Sequence, residues 1–193
     1  DYLTRWKFPE SEYDSRQITV RRLLSHSAGL VDDLGYGGFS ADEELQTIEE
    51  SLDKAADVSY GEGVARVGYA PGTQYMYSGA SYTVLQLLIE EVSGESFSDF
   101  INTSVFEPLE MRNSSFLLTD SSRIRLVPVY KRDGSTLPMN RFTAKAAAAM
   151  MASVNDLSKF MIAIASVNNK VLSTEMINEM GKPASYRNGY AYY

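Results

Sequence analysis

Tyr77 is the residue of this 193-residue chain whose sequence surroundings best suit chemistry. It follows a loop with Pro71 and Gly72, and it precedes an apolar stretch, Val84 to Val92, that predicts a buried helix. A phenol at such a junction can point into a cleft while the helix holds it still, and the helix N-terminus favours negative charge. A lysine nearby would favour the phenolate, a usable general base. The alternative is that Tyr77, one of 13 tyrosines, packs in the core.

Two other patterns could carry chemistry, but both fit structural roles better. The segment Ser51-Leu52-Asp53-Lys54 has the Ser-x-x-Lys spacing of an activated serine, yet its acidic surroundings are typical of a solvated helix face. His26 is the sole histidine, and its neighbours Ser25 and Ser27 would not face it on a helix, so we interpret it as structural. One histidine and scattered carboxylates predict no metal site, and we expect no cofactor.

The elements that must position these residues are predicted mainly as helices. Ser40 with Glu43, and Ser153 with Asp156, have the spacing of capping boxes, and the first pair would open a helix that carries Leu45, Ile48 and Leu52 on one face. Thr19 is predicted to cap a helix from Val20 to His26, with Gly29 as its stop, and Gly94 is predicted to end the apolar helix. Ser96 is predicted to cap a helix that ends at Pro108, and Ser173 to cap a last short helix.

The rest of the chain is predicted as loops and one β element. Ser59 to Thr73 is glycine-rich and predicts a long loop, and the glycine loop Gly35 to Gly38, which carries Tyr36, is expected to line the rim of a cleft. Ile124 to Leu137 is β-rich and contains Asp133-Gly134, which predicts a hairpin. The predicted fold class is therefore mainly α with a small β-hairpin, in a single partial domain over residues 1–193.

Composition excludes several classes of function. A hydrophobic content of 44% predicts a packed core, and a net charge of −7 without a basic stripe argues against nucleic-acid binding. The absence of cysteine excludes disulfides and thiol catalysis.

Both ends are abrupt, at Asp1 and Tyr193, so we expect a piece of a longer polypeptide; the alternative is a naturally short mature chain.

Five segments, in order along the chain, resemble the serine β-lactamase and penicillin-binding D,D-peptidase family, above all its class C and related-esterase branch. The family patterns are ITxRxLLSHTSGL, PG followed by YSN, the helix after YSN, xxPLGM, and an alanine-rich turn followed by an S-x-x-D-L-x-x-F helix. The matching segments here are Ile18–Leu30, Pro71–Gly72 with Tyr77–Gly79, Tyr82–Gly94, Phe106–Met111 with Glu110 in place of glycine, and Ala146–Phe160.

The resemblance implies the helical region of an α+β fold and acyl transfer on amide or ester bonds. In that family a serine attacks the carbonyl, a lysine three residues later helps to activate it, and a tyrosine acts as base and then as acid. By resemblance Tyr77 takes the tyrosine role, and Ser78 and Gly79 stand at substrate-binding positions. The serine motif would lie before Asp1, and no Lys-Thr-Gly occurs, so we expect the isolated piece to be inactive.

Gly79 stands where β-lactamases of this family typically carry asparagine. The asparagine amide donates and accepts hydrogen bonds and contacts the substrate and the catalytic lysine, and glycine cannot replace it. Tyr-x-Gly is more typical of the esterases and peptidases of the superfamily, which places β-lactam hydrolysis by the parent in doubt.

The alternative hypothesis is a non-catalytic binding or interaction module on the same helical scaffold, which predicts that Tyr77 is buried with its hydroxyl satisfied and no cleft beside it. For the parent enzyme, the expected partner is a small-molecule or peptide amide or ester substrate, and the resemblance implies an exported or membrane-anchored bacterial protein. A piece that lacks the family's sheet would expose apolar surface and could self-associate through it.

Overall fold

A computed structural model describes residues 2–31, 36–119, 126–166, 169–187 and 190–192. Gly35 of the predicted glycine loop, and Ile124 and Arg125 at the start of the predicted hairpin, lie outside the described residues. The helices are a 3-10 turn at Ser15–Gln17, α1 Val20–Leu24, α2 Ile48–Lys54, α3 Gly79–Ser93, α4 Phe97–Ile101 with a π-helical turn at Asn102–Phe106, α5 Lys145–Ala148, α6 Val154–Ala165 and α7 Thr174–Met180.

The β structure of the described ranges consists of three short antiparallel pairs. They are β1 Leu30–Val31 with β2 Arg66–Val67, β3 Val129–Tyr130 with β4 Thr136–Leu137, and β5 Ser185–Arg187 with β6 Tyr190–Tyr192. The β3–β4 pair is the predicted hairpin, whose turn is closed by Gly134 in the left-handed region and by the Asp133 carboxylate, which accepts from the Ser135 amide at 2.9 Å. The prediction of a mainly α fold with a small β-hairpin is confirmed, although the other two pairs were not predicted.

Helix α3 is the central element. Its first nine residues, Gly79 to Leu87, are buried apart from the half-buried Tyr82, and it packs against α1, α2, α4 and α5. Gly94 ends it in the left-handed conformation, as predicted, and its amide donates to the Glu90 carbonyl at 3.0 Å. The main core around it contains Trp6, Leu23, Leu30, Leu52, Val67, Val84 and Leu87. None of the helices in the described ranges is both long and apolar enough to cross a bilayer.

The predicted helix start at Ser40 is wrong, because no helix begins there. Ser40 does donate to the Glu43 carboxylate, with its amide at 2.6 Å, but α2 begins at Ile48, where Thr47 and Glu50 form the reciprocal capping box. The backbone carbonyls that a helix from Ser40 would use are taken by distant side chains. The Arg141 guanidinium donates to the carbonyls of residues 40 and 43, and the Thr143 hydroxyl donates to that of residue 46 at 2.8 Å.

Asp156 ties helix α6 to a second, smaller core around Phe106, Leu109 and Met111. Ser153 caps α6 as predicted, and its hydroxyl accepts from the Asp156 amide at 3.2 Å. The fully buried Asp156 carboxylate does not return to the cap; it accepts from the Asn113 amide at 2.6 Å and the Ser114 hydroxyl at 3.0 Å. The predicted capping box is therefore half formed, and its acid instead stabilises the turn that follows Met111.

Candidate functional site

Tyr77 lies at the junction between the Pro71–Gly72 loop and α3, as the sequence predicts, and its side chain is 64% exposed. The next residue, Ser78, is the N-cap of α3; its hydroxyl accepts from the Ser81 amide at 3.1 Å, and its side chain is buried. The phenol therefore projects into solvent from a backbone that the capped helix fixes. The exposure of Tyr77 is opposite to what the binding-module hypothesis predicts.

His26 holds the backbone on both sides of Tyr77. Its carbonyl oxygen accepts from the Met76 amide at 2.8 Å, and its ring nitrogen Nδ1 accepts from the Ser78 amide at 3.2 Å. Its ring also packs against the Tyr77 ring, with centroids 4.6 Å apart and an angle of 37° between the planes. One residue thus fixes residues 76 and 78 and supports the phenol between them, which makes His26 a positioning residue.

The backbone conformation of His26 makes this double contact feasible. Helix α1 ends at Leu24, and His26 adopts the left-handed conformation, with φ of 52°. The His26 amide donates to the Leu23 carbonyl at 3.2 Å and the Ser27 amide to the Arg22 carbonyl at 2.8 Å, which is the Schellman ending that glycine normally makes. The predicted continuation of this helix to His26, with Gly29 as its stop, is therefore wrong. Gly29 is left-handed too, but it lies at the start of β1.

The His26 imidazole is a neutral hydrogen-bond acceptor in this site. Burial lowers the pKa of His26 below its ordinary value, and an Nδ1 that accepts from the Ser78 amide places the ring proton on Nε2. The rings of Tyr75 and Tyr82 also pack around it, with centroids at 5.7 and 5.3 Å. The Tyr82 hydroxyl donates to a backbone carbonyl, that of Leu24, at 3.2 Å, and burial, with Tyr77 nearby, raises the pKa of Tyr82. Tyr77, by contrast, presents its phenol to solvent.

Gly79 lies under the ring of Tyr36. A Cβ atom on Gly79 would stand 2.7 Å from Cε2 of Tyr36, which is closer than such atoms approach one another. The Tyr36 hydroxyl is hydrogen-bonded to the Thr83 hydroxyl, one turn further along α3, at 2.8 Å. The predicted substrate contacts of Ser78 and Gly79 stay predictions; in this structure Ser78 caps the helix and Gly79 makes room for an aromatic ring.

The segment that carries Tyr36 is anchored by Asp57. The backbone carbonyl of Asp57 accepts from the Gly37 amide at 2.7 Å, and the Asp57 carboxylate accepts from the Gly38 amide at 3.0 Å. Burial raises the pKa of this carboxyl, against the effect of the Gly38 amide. The sequence predicts that this loop lines the rim of a cleft, and in the structure its Tyr36 packs on Gly79, the residue that follows the N-cap of α3.

Ser51 is buried in the core, although its acidic surroundings predict a solvated helix face. Its side chain is 1% exposed, and its hydroxyl has no hydrogen-bond partner among the described residues, while Lys54 is exposed at the end of α2. The Ser-x-x-Lys spacing here therefore does not present a serine to a substrate. In the described part of the chain, no three side chains of histidine, aspartate or glutamate cluster to hold a metal ion.

The class to which the molecule belongs follows from comparison with known proteins. The family model described as Beta-lactamase matches residues 1–191, and the chain belongs to this family of serine β-lactamase and penicillin-binding-protein-like proteins. The predicted resemblance is thereby confirmed, as is the assignment to the β-lactamase and transpeptidase-like fold.

Individual relatives can be named within that class. The chain is 36% identical over 115 residues to penicillin-binding protein 4* of Bacillus subtilis strain 168, a match that covers 59% of the chain and 24% of the relative. It is 25% identical over 148 residues to protein flp of Staphylococcus aureus, covering 75% of the chain and 28% of that protein. The chain thus spans about a quarter of the length of these curated relatives.

Among solved structures, the chain is similar to the octameric penicillin-binding protein homologue from Pyrococcus abyssi. The TM-score is 0.69 at 26% sequence identity, over 91% of this chain and 42% of that one. The match to this structure supports the family assignment and shows that the helices described above form the same arrangement in a solved relative.

Proposed function

We propose that this chain is the tyrosine-bearing helical part of a serine hydrolase that acts by acyl transfer on amide or ester bonds, with Tyr77 as its general base. The observation that carries the proposal is the exposed phenol of Tyr77, held at the N-terminus of α3 by hydrogen bonds from residues 76 and 78 to His26. A base must be accessible and precisely placed, and this arrangement supplies both.

The acylation half of the reaction would proceed with two proton transfers at Tyr77. The phenolate takes the proton of a serine hydroxyl while the serine oxygen attacks the carbonyl carbon, and the resulting phenol returns that proton to the departing amine or alcohol. In the second half of the reaction, water gives a proton to the Tyr77 phenolate as it attacks the acyl carbon, and the resulting phenol returns that proton to the serine oxygen as the acid product leaves.

The nucleophilic serine is expected to come from outside residues 1–193. The only Ser-x-x-Lys in the sequence is Ser51 to Lys54, and Ser51 lies in the core. We therefore expect no acylation of the isolated chain by benzylpenicillin or by p-nitrophenyl acetate, measured by intact mass. A stable adduct on any serine of the isolated chain would contradict this part of the proposal.

The role of Tyr77 is tested in a full-length protein that contains this segment and a serine nucleophile. Tyr77→Phe removes the hydroxyl and keeps the ring on His26, so we expect kcat for a p-nitrophenyl ester to fall by about 10²–10⁴-fold with unchanged thermal stability. Tyr130→Phe is the matched control, since Tyr130 is an exposed tyrosine of the β3–β4 hairpin. Full activity of Tyr77→Phe would refute Tyr77 as the base.

A further inference from the structure

The ring of Tyr36 fills the space into which a side chain at position 79 would extend. Its Cε2, Cζ and Cδ2 atoms lie 2.7, 3.4 and 3.5 Å from a Cβ built on Gly79. Position 79 lies two residues beyond Tyr77, at the first turn of α3. The ring of Tyr36 therefore stands beside the helix end that presents Tyr77.

Tyr36 cannot readily move away from this place. Its hydroxyl is hydrogen-bonded to Thr83 at 2.8 Å, and its backbone pairs with Val58. The two glycines that follow are bonded to Asp57, and a Cβ on Gly38 would meet Cε1 of Phe142 at 2.8 Å. The phenol ring is thus pinned at its hydroxyl end, along its own backbone and at the loop that follows it.

Gly79 itself is buried, and the half-buried Tyr36 forms the surface over it. A side-chain amide at position 79 would offer both a donor and an acceptor, whereas Tyr36 turns one ring edge toward Gly79 and offers only the rest of an apolar ring whose hydroxyl is bonded to Thr83. An acyl group with an apolar or aromatic body would pack on the exposed part of that ring. A polar acylamino group would lose its hydrogen bonds to water there without gaining a replacement, which costs binding energy.

We propose that Tyr36 is a specificity-determining residue of the Tyr77 site, which selects substrates with an apolar acyl group over substrates with an acylamino group next to the scissile carbonyl. This inference rests on the proposed function, because it concerns the substrate class of the same site. It assigns a role to the loop at residues 36–39 and gives a steric reason for glycine at position 79.

The steric part is tested in the isolated chain, without any catalysis. We expect Gly79→Ala to lower the Tm of the wild-type chain, and to lower it much less in a Tyr36→Ala background, where the ring is gone. Gly181→Ala is a matched control, because a Cβ there meets only atoms at 3.7 Å or more. Equal effects of Gly79→Ala in the two backgrounds would overturn the inference, because the ring would then not occupy that space.

The specificity part is tested in the full-length protein by the ratio of kcat/KM for p-nitrophenyl butyrate and for the p-nitrophenyl ester of N-acetylglycine. We expect the wild type to favour the butyrate ester, and Tyr36→Ala to reduce that preference by about tenfold, the scale of discrimination of one pocket contact. Tyr36→Phe keeps the ring and should keep the preference. This variant can be measured even if Tyr36→Ala folds poorly. Tyr130→Ala, which removes an exposed hairpin tyrosine, should leave the ratio unchanged.

The outcomes separate the two levels of the proposal. A wild-type protein that hydrolyses esters but shows the same ratio in Tyr36→Ala would overturn the role of Tyr36 and leave the proposed function standing. A preference that is also lost in Tyr36→Phe would overturn the role of the ring, because the hydroxyl would then carry the selection. A wild-type protein that hydrolyses neither ester would refute the proposed function, and the specificity role with it.

Discussion

Replacement of His26 by alanine is expected to loosen the segment that presents Tyr77. The change removes the Nδ1 acceptor of the Ser78 amide, at a cost of about 1–3 kcal/mol for a buried donor left unpaired. It also removes the packing of the ring on its neighbouring tyrosines, worth about 0.5–1.5 kcal/mol per aromatic pair. Since His26 is half-buried and these terms overlap, we expect a loss of about 2–4 kcal/mol in the free energy of unfolding.

The measurement is urea or thermal unfolding of the isolated chain, combined with hydrogen exchange of the Met76 and Ser78 amides. A loss of this size corresponds to a Tm lowered by roughly 5–15 °C for a chain of this length. His26→Asn is the matched control, because asparagine tolerates the left-handed conformation and its side-chain oxygen can accept a hydrogen bond. It should lose about half as much. The role given to His26 is refuted if His26→Ala is as stable as the wild type, or if both amides keep their protection.

The pH dependence of stability offers a second check on His26. Because burial lowers its folded-state pKa, the unfolded chain binds a proton at a higher pH than the folded chain does. The contribution of the neutral ring is therefore complete above about pH 6.5, the ordinary value for histidine, and is lost as the pH falls through the lower folded-state pKa. His26 is the only histidine, so the difference between the wild-type and His26→Asn curves isolates this effect.

Three other changes have defined outcomes. Asp156→Ala should cost about 1–3 kcal/mol in urea unfolding, because it leaves the donors of the turn after Met111 without their acceptor. Burial acts to raise the pKa of Asp156, but its hydrogen bonds outweigh burial and lower that pKa, so the wild type should lose this contribution as the pH falls below about 4 and through the folded-state pKa; a stability difference between the wild type and Asp156→Ala that does not shrink there would contradict the assignment. Gly29→Ala should lower the Tm far more than Gly94→Ala, because both glycines are left-handed but only a Cβ on Gly29 would overlap a carbonyl oxygen; equal Tm losses would show that the close approach is absent. Ser51→Ala should keep or raise the Tm, since its buried hydroxyl has no partner among the described residues, and a loss above about 1 kcal/mol would reveal one.

Local sequence signals predicted much of the fold because they act over a few residues. Thr19, Ser96, Ser153 and Ser173 each cap the helix expected of them. Their hydroxyls bond to amides three residues away, so no distant partner is needed. Ser40 has the same local pattern, but the predicted helix does not form there, because side chains about 100 residues away take the carbonyls that the helix required.

The β1–β2 pair was missed for the same physical reason. Each strand has two residues, too few for an alternating pattern, and their pairing depends on a partner 36 or so positions away in the chain. Arg66 and Val67 therefore resembled the rest of a glycine-rich loop. Only the antiparallel register, with Leu30 opposite Val67, defines them as strands.

In the candidate site, too, local signals were predictable from the sequence and long-range contacts were not. Tyr77 could be found from the loop-to-helix junction and from the family resemblance. The role of His26 could not, because its contacts with residues 76 and 78 depend on a left-handed conformation that sequence rules assign to glycine. The packing of Tyr36 on Gly79 had one signal in advance, the glycine at a position where asparagine is typical.

The link between His26 and Ser78 spans 52 positions of the chain, which bears on how such a protein tolerates insertions. The cost of closing a loop rises only with the logarithm of its length, so that doubling the loop costs about 0.6 kcal/mol. The exposed turn at Tyr60–Glu62 lies within this span and away from both ends. Residues inserted at that turn are therefore expected to cost little stability, while the histidine continues to hold the tyrosine in place.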